Sequence, residues 1–398
     1  MEDSIFFIAG WLVDGSGGQI KKDIIIQIKN GYIKSIKPYD HFQDKTRAVD
    51  LTGHTILPCL TDSHVHLSMS GTEDQKIRKR QLNADFEYIK KSIKHHIKQH
   101  ILFGVLGIRD GGDSRAHVLN YKHRYLDIKK APLTIPLTVK TAGRAWHKQG
   151  RYGKIIGRVP PENYTLGQAI KEDKEDIDHV KIVNSGLNSL KVFGKETMPQ
   201  FDLKEMKAAV KASVSRGFKV MVHANGKNPV GIAVEAGCHS IEHGFFMGYE
   251  NLQKMVDKDV TWVPTACTMK AYSEKFENLS VEAQICKKNL DHQVSQISRA
   301  RELGVKIALG TDSGSLGVNH GRAVIEEFGL LIKAGFSIEE AVKCATHNGI
   351  SLLGITKFGI LTKNMPATFI AVKGGPEKLP DSLKKIKNIY VMGQPLKK

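Results

Sequence analysis

Four histidines, one lysine and one aspartate carry the chemistry of this chain. Two of the histidines stand one residue apart, in Thr61-Asp62-Ser63-His64-Val65-His66, at the end of an apolar run. On a β-strand residues i and i+2 point the same way, so both imidazoles can reach one ion from one face. Histidine is the commonest metal ligand, and a strand end holds a pair of them rigidly. A lone pair of this kind also arises as a polar accident, so its meaning depends on what else the chain supplies at comparable positions.

The elements that would position such ligands are visible as alternation. Between about Thr55 and Gly354 there are eight β-like apolar runs, at 55–61, 103–109, 133–139, 179–183, 218–223, 239–243, 260–264 and 305–311. Helical patterns such as 203–216, 282–303 and 322–334 lie between them. Eight β/α alternations in about 300 residues predict a (β/α)₈ TIM barrel, whose catalytic groups sit where the strands end. The run ends carry His64 and His66, then Lys181, His223, His243 and Asp312. His66 to Lys181 is 115 residues, three units of about 38; His223 to His243 is 20, one short unit; His243 to Asp312 is 69, two units. Six metal-compatible side chains at successive run ends are a constellation rather than a scatter.

Both termini read differently. Strands are expected at 5–9, 10–13, 23–28 and 32–38, with Lys29-Asn30-Gly31 as a hairpin turn, and again at 368–372 and 387–392. A small β-sandwich domain assembled from residues 1–54 and 360–398 is therefore expected around a barrel of residues 55–359. The Gly-rich turn at Gly15-Ser16-Gly17-Gly18 is not a phosphate loop, since no helix or Lys-Ser/Thr follows it.

Composition limits the function classes. The formal net charge is +18, but Lys and Arg are spread along all 398 residues, and the densest tract, Lys90 to His100, has Ile89, Ile93, Ile97 and Ile101 four apart. That is an amphipathic helix with a solvated basic face, so no nucleic-acid partner is expected. No run approaches the ~18 apolar residues of a membrane span, and the acidic N-terminus does not suit a signal peptide. Five scattered cysteines without a C-x-x-C argue against disulfides and zinc fingers. The expectation is a cytoplasmic enzyme acting on a small molecule, away from membranes and assembled as a homo-oligomer.

The motifs His64-Val65-His66, Ile108-Arg109-Asp110-Gly111-Gly112, Val222-His223-Ala224-Asn225-Gly226, Ile241-Glu242-His243-Gly244 and Gly310-Thr311-Asp312-Ser313-Gly314 together resemble the amidohydrolase superfamily, in its imidazolonepropionase-related and Xaa-Pro dipeptidase-like branch. The resemblance covers nearly the whole chain. It implies a centre of two divalent ions, usually zinc, with His64 and His66 on the more buried ion, His223 and His243 on the more exposed one, and Asp312 completing the first shell. It implies Lys181 as a carbamate, because an ammonium cannot bind a cation whereas an anionic carbamate can bridge two; Lys191 is the other candidate. Two ions sharing a water would generate hydroxide near neutral pH, with Asp312 as general base and then acid in cleaving the C–N bond of a dipeptide, N-acyl amino acid or cyclic amide. Metal-dependent deamination of a heterocycle is the rival reaction, but no acid follows His223. A non-catalytic, basic, nucleic-acid-associated barrel is the rival class.

Substrate contacts are expected from Arg144, His147, Arg151 and Tyr152 in the loop after the third run, since guanidinium forks match carboxylates. His320 matches a position the family places near substrate. Near the C-terminus Asn364-Met365-Pro366-Ala367-Thr368-Phe369 departs from the family's Gly-Lys-x-Ala-Asp-Leu.

Overall fold

Ile24, Ile25, Ile26 and Ile28 form an apolar run at one end of the chain, Phe369 to Val372 at the other, and each run needs partners to bury it. The computed structural model describes residues 4–39, 48–126, 137–277, 280–356, 358–386 and 388–396. In it the two ends meet. Strands β1 (Ile5–Leu12), β2 (Lys21–Lys29), β3 (Tyr32–Pro38) and β4 (Ala48–Pro58) join the C-terminal strands in one seven-stranded sheet. The expected strands 5–9 and 10–13 are one continuous strand. Asn30 and Gly31, both at positive φ, turn β2 into β3. Phe7, Phe369 and Tyr390 pack edge-on and stacked at the centre of this sheet's core.

The middle of the chain is mixed α/β with parallel strands. These are β5 (Leu60–Val65), β6 (Val105–Asp110), β7 (Thr138–Thr141), the two-residue β8 (Ala145–Trp146) and β9 (Gly157–Arg158), β10 (His179–Val183), β11 (Lys219–Ala224), β12 (Ser240–His243) and β13 (Thr261–Val263). After them come β14 (Phe369–Lys373), β15 (Asn388–Val391) and β16 (Gln394–Pro395), which belong to the terminal sheet. One parallel sheet has the order β5-β6-β7, the other β13-β12-β11-β10-β8-β9.

Hydrogen bonds connect the two parallel sheets at both edges. Asp178 N donates to Thr141 O at 3.0 Å beside β7. On the other side residues 305–313 lie between β13 and β5: Trp262 N donates to Lys306 O, Ser63 N to Leu309 O and Asp312 N to His64 O, at 2.8, 2.9 and 2.7 Å. This last segment makes isolated bridges and no named strand among the described residues.

Two expected runs change shape. Run 55–61 is shared between sheets: Thr55–Pro58 completes β4 against β14, and two residues later Leu60 N donates to Gly104 O to begin β5. An apolar run cannot announce such a switch, because both sheets bury it. Of run 133–139, residues 133–136 lie outside the described residues, and β7 begins at Thr138. The helix Phe86–Leu102 buries Ile89, Ile93 and Ile97 and exposes Lys91, Lys94 and Lys98, so its charge is a solvated face. Among the described residues no helix is long and apolar enough to cross a membrane.

Close approach of 305–313 to β5 requires a glycine. A Cβ on Gly310 would stand 2.4 Å from Val263 Cγ1 and 2.9 Å from His64 N. Gly310→Ala should therefore cost about 1–3 kcal/mol, read as a lowered Tm, whereas Gly53→Ala, with open space around it, should leave Tm unchanged. Equal Tm for the two variants would refute the close packing of this segment on β5.

Candidate active site

Strand ends bring the six residues to one cavity of about 310 Å³, and all of them line it. His64 lies on β5 and His66 just beyond, their Nε2 atoms 3.5 and 3.4 Å from Asp312 Oδ1. Those three donor atoms lie within 4.8 Å of one another, a spacing that one cation can gather. Lys181 is the third residue of β10. In the register of β10, β11 and β12, Val183 stands opposite His223 and Ala224 opposite His243. Ring centroids are 4.9 Å apart for His64–His243 and 4.6 Å for His223–His243.

The tautomer of each histidine follows from its partner. His64 Nδ1–H donates to Glu242 Oε2 at 2.8 Å and His66 Nδ1–H to Gly112 O at 2.9 Å. His243 Nδ1 lies 2.7 Å from Thr265 Oγ1, whose own proton goes to Pro264 O, so the imidazole donates. His223 is bonded through the other nitrogen, Nε2–H to Gly186 O at 3.2 Å. Each ring thus spends its one N–H on an acceptor and keeps a lone pair on the other nitrogen, the state a metal ligand needs. Burial, reinforced by the Lys181 charge, holds His223 down to about 3 and His64 well below the usual imidazole range; burial and the His223 charge do the same to His243.

Lys181 is 1% exposed, and its Nζ has no hydrogen-bond partner among the described residues. Burial pulls the amine down to about 8, against the opposing charge of Glu242. A buried, unpartnered amine beside imidazole lone pairs and a carboxylate fits a carbamate with divalent cations better than it fits a free ammonium, which would be left without a counter-ion in contact. Burial raises the Asp312 carboxyl above its ordinary range, and its Oδ2 accepts from Ser315 Oγ at 2.8 Å.

The five residues expected to hold substrate are placed apart. Tyr152 lines the cavity, its ring 5.4 Å from His223. Arg144 instead pairs with Glu175 at 2.5 Å, His147 Nδ1 bonds Lys148 O, and Arg151 donates to Met198 O, so this loop spends its polar groups on itself and its neighbours. His320 is buried behind the site, donating to Met69 O at 2.7 Å and stacked on His96 at 4.0 Å. Lys191 is exposed and faces Glu282, away from the cavity. Cys267 is buried, its thiol donating to Thr311 O.

Several residues that shape the site carried no role in the sequence reading. Glu242 precedes His243, and period-two alternation assigns the two to opposite faces. A φ of 68° at His243 ends that alternation, and both side chains reach His64. Arg109 closes the network, donating to Glu242 Oε1 at 2.6 Å, Ser240 Oγ at 2.9 Å and Ser63 O at 2.7 Å. Thr265 also has positive φ (48°), and the buried Glu327 accepts the next two N–H groups, from Ala266 and Cys267, at 3.0 and 2.7 Å.

With this geometry in view, comparison with known proteins defines the class. Residues 55–396 match the Amidohydrolase family, and the chain belongs to it. It is 28% identical to ochratoxinase of Aspergillus niger over 181 residues, 44% of this chain and 37% of that protein. The chain thus spans little more than a third of the length of that curated relative. It is 23% identical to imidazolonepropionase of Christiangramia forsetii over 355 residues, 83% of this chain and 80% of that one. A crystal structure of a Xaa-Pro dipeptidase with bound methionine in its active site superimposes with TM-score 0.82 at 26% identity, covering 100% of each chain.

Glu242→Gln leaves Arg109 as a buried cation without its counter-charge, which should cost about 3–5 kcal/mol and lower metal affinity about 10–100-fold through His64. Denaturation and metal titration check both effects, and unchanged affinity would remove Glu242 from the site's support. Glu327 supplies a pH dependence. Burial pushes its carboxyl from 4.5 up to about 7, against the Cys267 and Ala266 N–H bonds. The folded protein therefore holds this proton more tightly than the unfolded chain does. The resulting stability is complete below about pH 4.5 and is lost as pH rises through about 7. The stability of the wild type relative to Glu327→Gln should fall by about 1–3 kcal/mol over that window, and a flat difference in urea denaturation would contradict it.

Proposed function

We propose that the chain is a metal-dependent hydrolase cleaving the C–N (amide) bond of a dipeptide, N-acyl amino acid or cyclic amide. In this reading His64, His66, His223, His243, Asp312 and a carbamate on Lys181 hold two divalent ions, zinc being the family's usual choice. Residues 55–359 are then a (β/α)₈ barrel with the 305–313 segment as its eighth position, and residues 1–54 and 360–398 its β-sandwich companion. The setting is cytoplasmic and the assembly a homo-oligomer. The observation that carries the reading is the Lys181 amine, buried without a hydrogen-bond partner among the described residues, beside four histidines that each have one ring nitrogen engaged by an oxygen acceptor and the other left for an ion. Membership of a metal-dependent family supports it.

Bound there, such a pair of cations supplies Lewis-acid polarisation of the amide carbonyl and acidifies a water. The chain's own residues do the rest. Asp312 takes the proton of the attacking water and delivers it to the leaving nitrogen. The Ser315 hydroxyl holds Asp312 Oδ2, so Oδ1 is the oxygen turned toward His64 and His66. Apolar wall residues such as Ile156, Phe245 and Met269 exclude bulk water and strengthen these electrostatics. Deamination of a heterocycle lacks its proton donor here. Ala224 and Asn225 follow His223, and neither side chain carries an acidic proton.

Purified protein should carry about two equivalents of divalent metal, and Asp312→Asn should lose about 10²–10⁴-fold in kcat while keeping most of that metal. Metal analysis with assays on dipeptide and N-acyl amino acid panels tests both. Protein that cannot be loaded, or an Asp312→Asn variant as active as wild type, would overturn the proposal.

A further inference from the structure

Arg78 lies on the helix Gln75–Asn83 and lines the same cavity as the six site residues. Lys181 and the imidazoles apart, it is the one cationic side chain on the cavity wall among the described residues. Its Nη1 donates to Ser70 O at 2.8 Å and Gly314 O at 3.1 Å, with Thr72 O at 3.5 Å. Those acceptors are neutral carbonyls, and no carboxylate lies within ion-pair distance of Arg78 among the described residues. Gly314 is two residues past Asp312, so the guanidinium is tied to the loop that carries the proposed proton carrier. The wall's other acid, Asp113, already accepts N–H groups from Arg115, His117 and Val118.

Around this charge the mouth is apolar. Leu82, Ile155 and Leu187 line the cavity and are nonetheless 37%, 50% and 59% exposed. Apolar side chains grouped at a cavity mouth mark a surface that something apolar covers. A fixed, half-buried guanidinium inside such a rim selects a ligand with one anionic group on an apolar body. Guanidinium forks bind carboxylates bidentately and with planar geometry.

We infer that Arg78 binds the free carboxylate of the substrate, and that the substrate is an N-acylated amino acid or dipeptide with a large apolar group against the Leu82, Ile155 and Leu187 rim. Neutral cyclic amides are then poor substrates. This rests on the amide-hydrolase reading for the identity of the bond cleaved, while the carboxylate contact itself can be measured without any cleavage.

The probe is N-benzylphenylalanine, in which a methylene replaces the amide carbonyl, together with its carboxamide, titrated calorimetrically into metal-loaded protein. Wild type should bind the free acid at least about 10-fold tighter than the carboxamide, as for a hydrogen bond to a charged group. In Arg78→Met that preference should vanish while carboxamide affinity holds. Arg78→Lys keeps the charge without the fork and should retain only part of the preference. Arg80→Met, on the same helix but packed over Tyr88, should retain all of it. No preference in wild type, binding of neither probe, or a preference that survives in both Arg78 variants would overturn the inference. Hydrolysis of the parent N-benzoylphenylalanine is scored separately. A carboxylate preference without hydrolysis of any amide keeps Arg78 as the anion site and removes the hydrolase reading, whereas hydrolysis without preference does the reverse.

Discussion

Glu242 is a carboxylate with no solvent contact, and three strands meet on it. It accepts from His64 on β5, Arg109 on β6 and Ser240 on its own strand β12. Taking a carboxylate and a guanidinium out of water costs several kcal/mol per ion, recovered only when the geometry is complete. Here it is close to complete, since Nε, Nη1 and Nη2 of Arg109 each reach an acceptor and both Glu242 oxygens are occupied. The outcome that matters is the orientation of His64. Its Nδ1 proton is committed to Glu242, so Nε2 must face Asp312 and the cavity. Remove the carboxylate and the ring loses both its tautomer and its direction.

Three residues at the same place have strained backbone. His243, Thr265 and Asp312 have φ of 68°, 48° and 56°, a region that costs a non-glycine residue about 1–3 kcal/mol. Each stands where a strand or its continuation turns away, so the strain bends a side chain inward at the end of a regular element. The surroundings hold these conformations in place. Trp262 Nε1 and Gln293 Nε2 both donate to His243 O, at 3.0 and 2.6 Å, and Asp312 N donates to His64 O at 2.7 Å. Gln293 comes from the long helix Val281–Leu303, so an outer element stabilises an inner ligand.

The convergence of the six residues on one cavity was legible in the sequence because it obeys local rules: a polar residue ends an apolar run, and the runs recur at β/α spacing. The pairing of the two chain ends was legible for a similar reason, since both read as short apolar strands between tight turns. What stayed hidden depends on long-range partners. Glu242 looks like any strand glutamate until Arg109, 133 residues earlier, is placed beside it. Arg144 and Arg151 look free until Glu175 and Met198 O are seen to take them. Arg78 presents the opposite case, a helix residue without a motif that the fold turns into the cavity. The change of sheet between Pro58 and Leu60 was invisible because burial in either sheet demands the same residues.

Charge explains why a lysine belongs among these histidines. Among the six residues Lys181 is the amine and Asp312 the carboxylate, and Glu242 behind them is already balanced by Arg109. An ammonium at Lys181 pushes protons off its neighbours, and the depressed affinities of His64, His223 and His243 each register that charge. It also repels any cation those lone pairs could bind, so an ammonium and a filled site exclude each other. The proposed carbamate reverses the sign of that one residue. Asp312 and the carbamate then offset two of the four charges that two dications bring. The net positive field left by that balance would favour negative charge developing on an amide oxygen, within low-dielectric walls that preserve it.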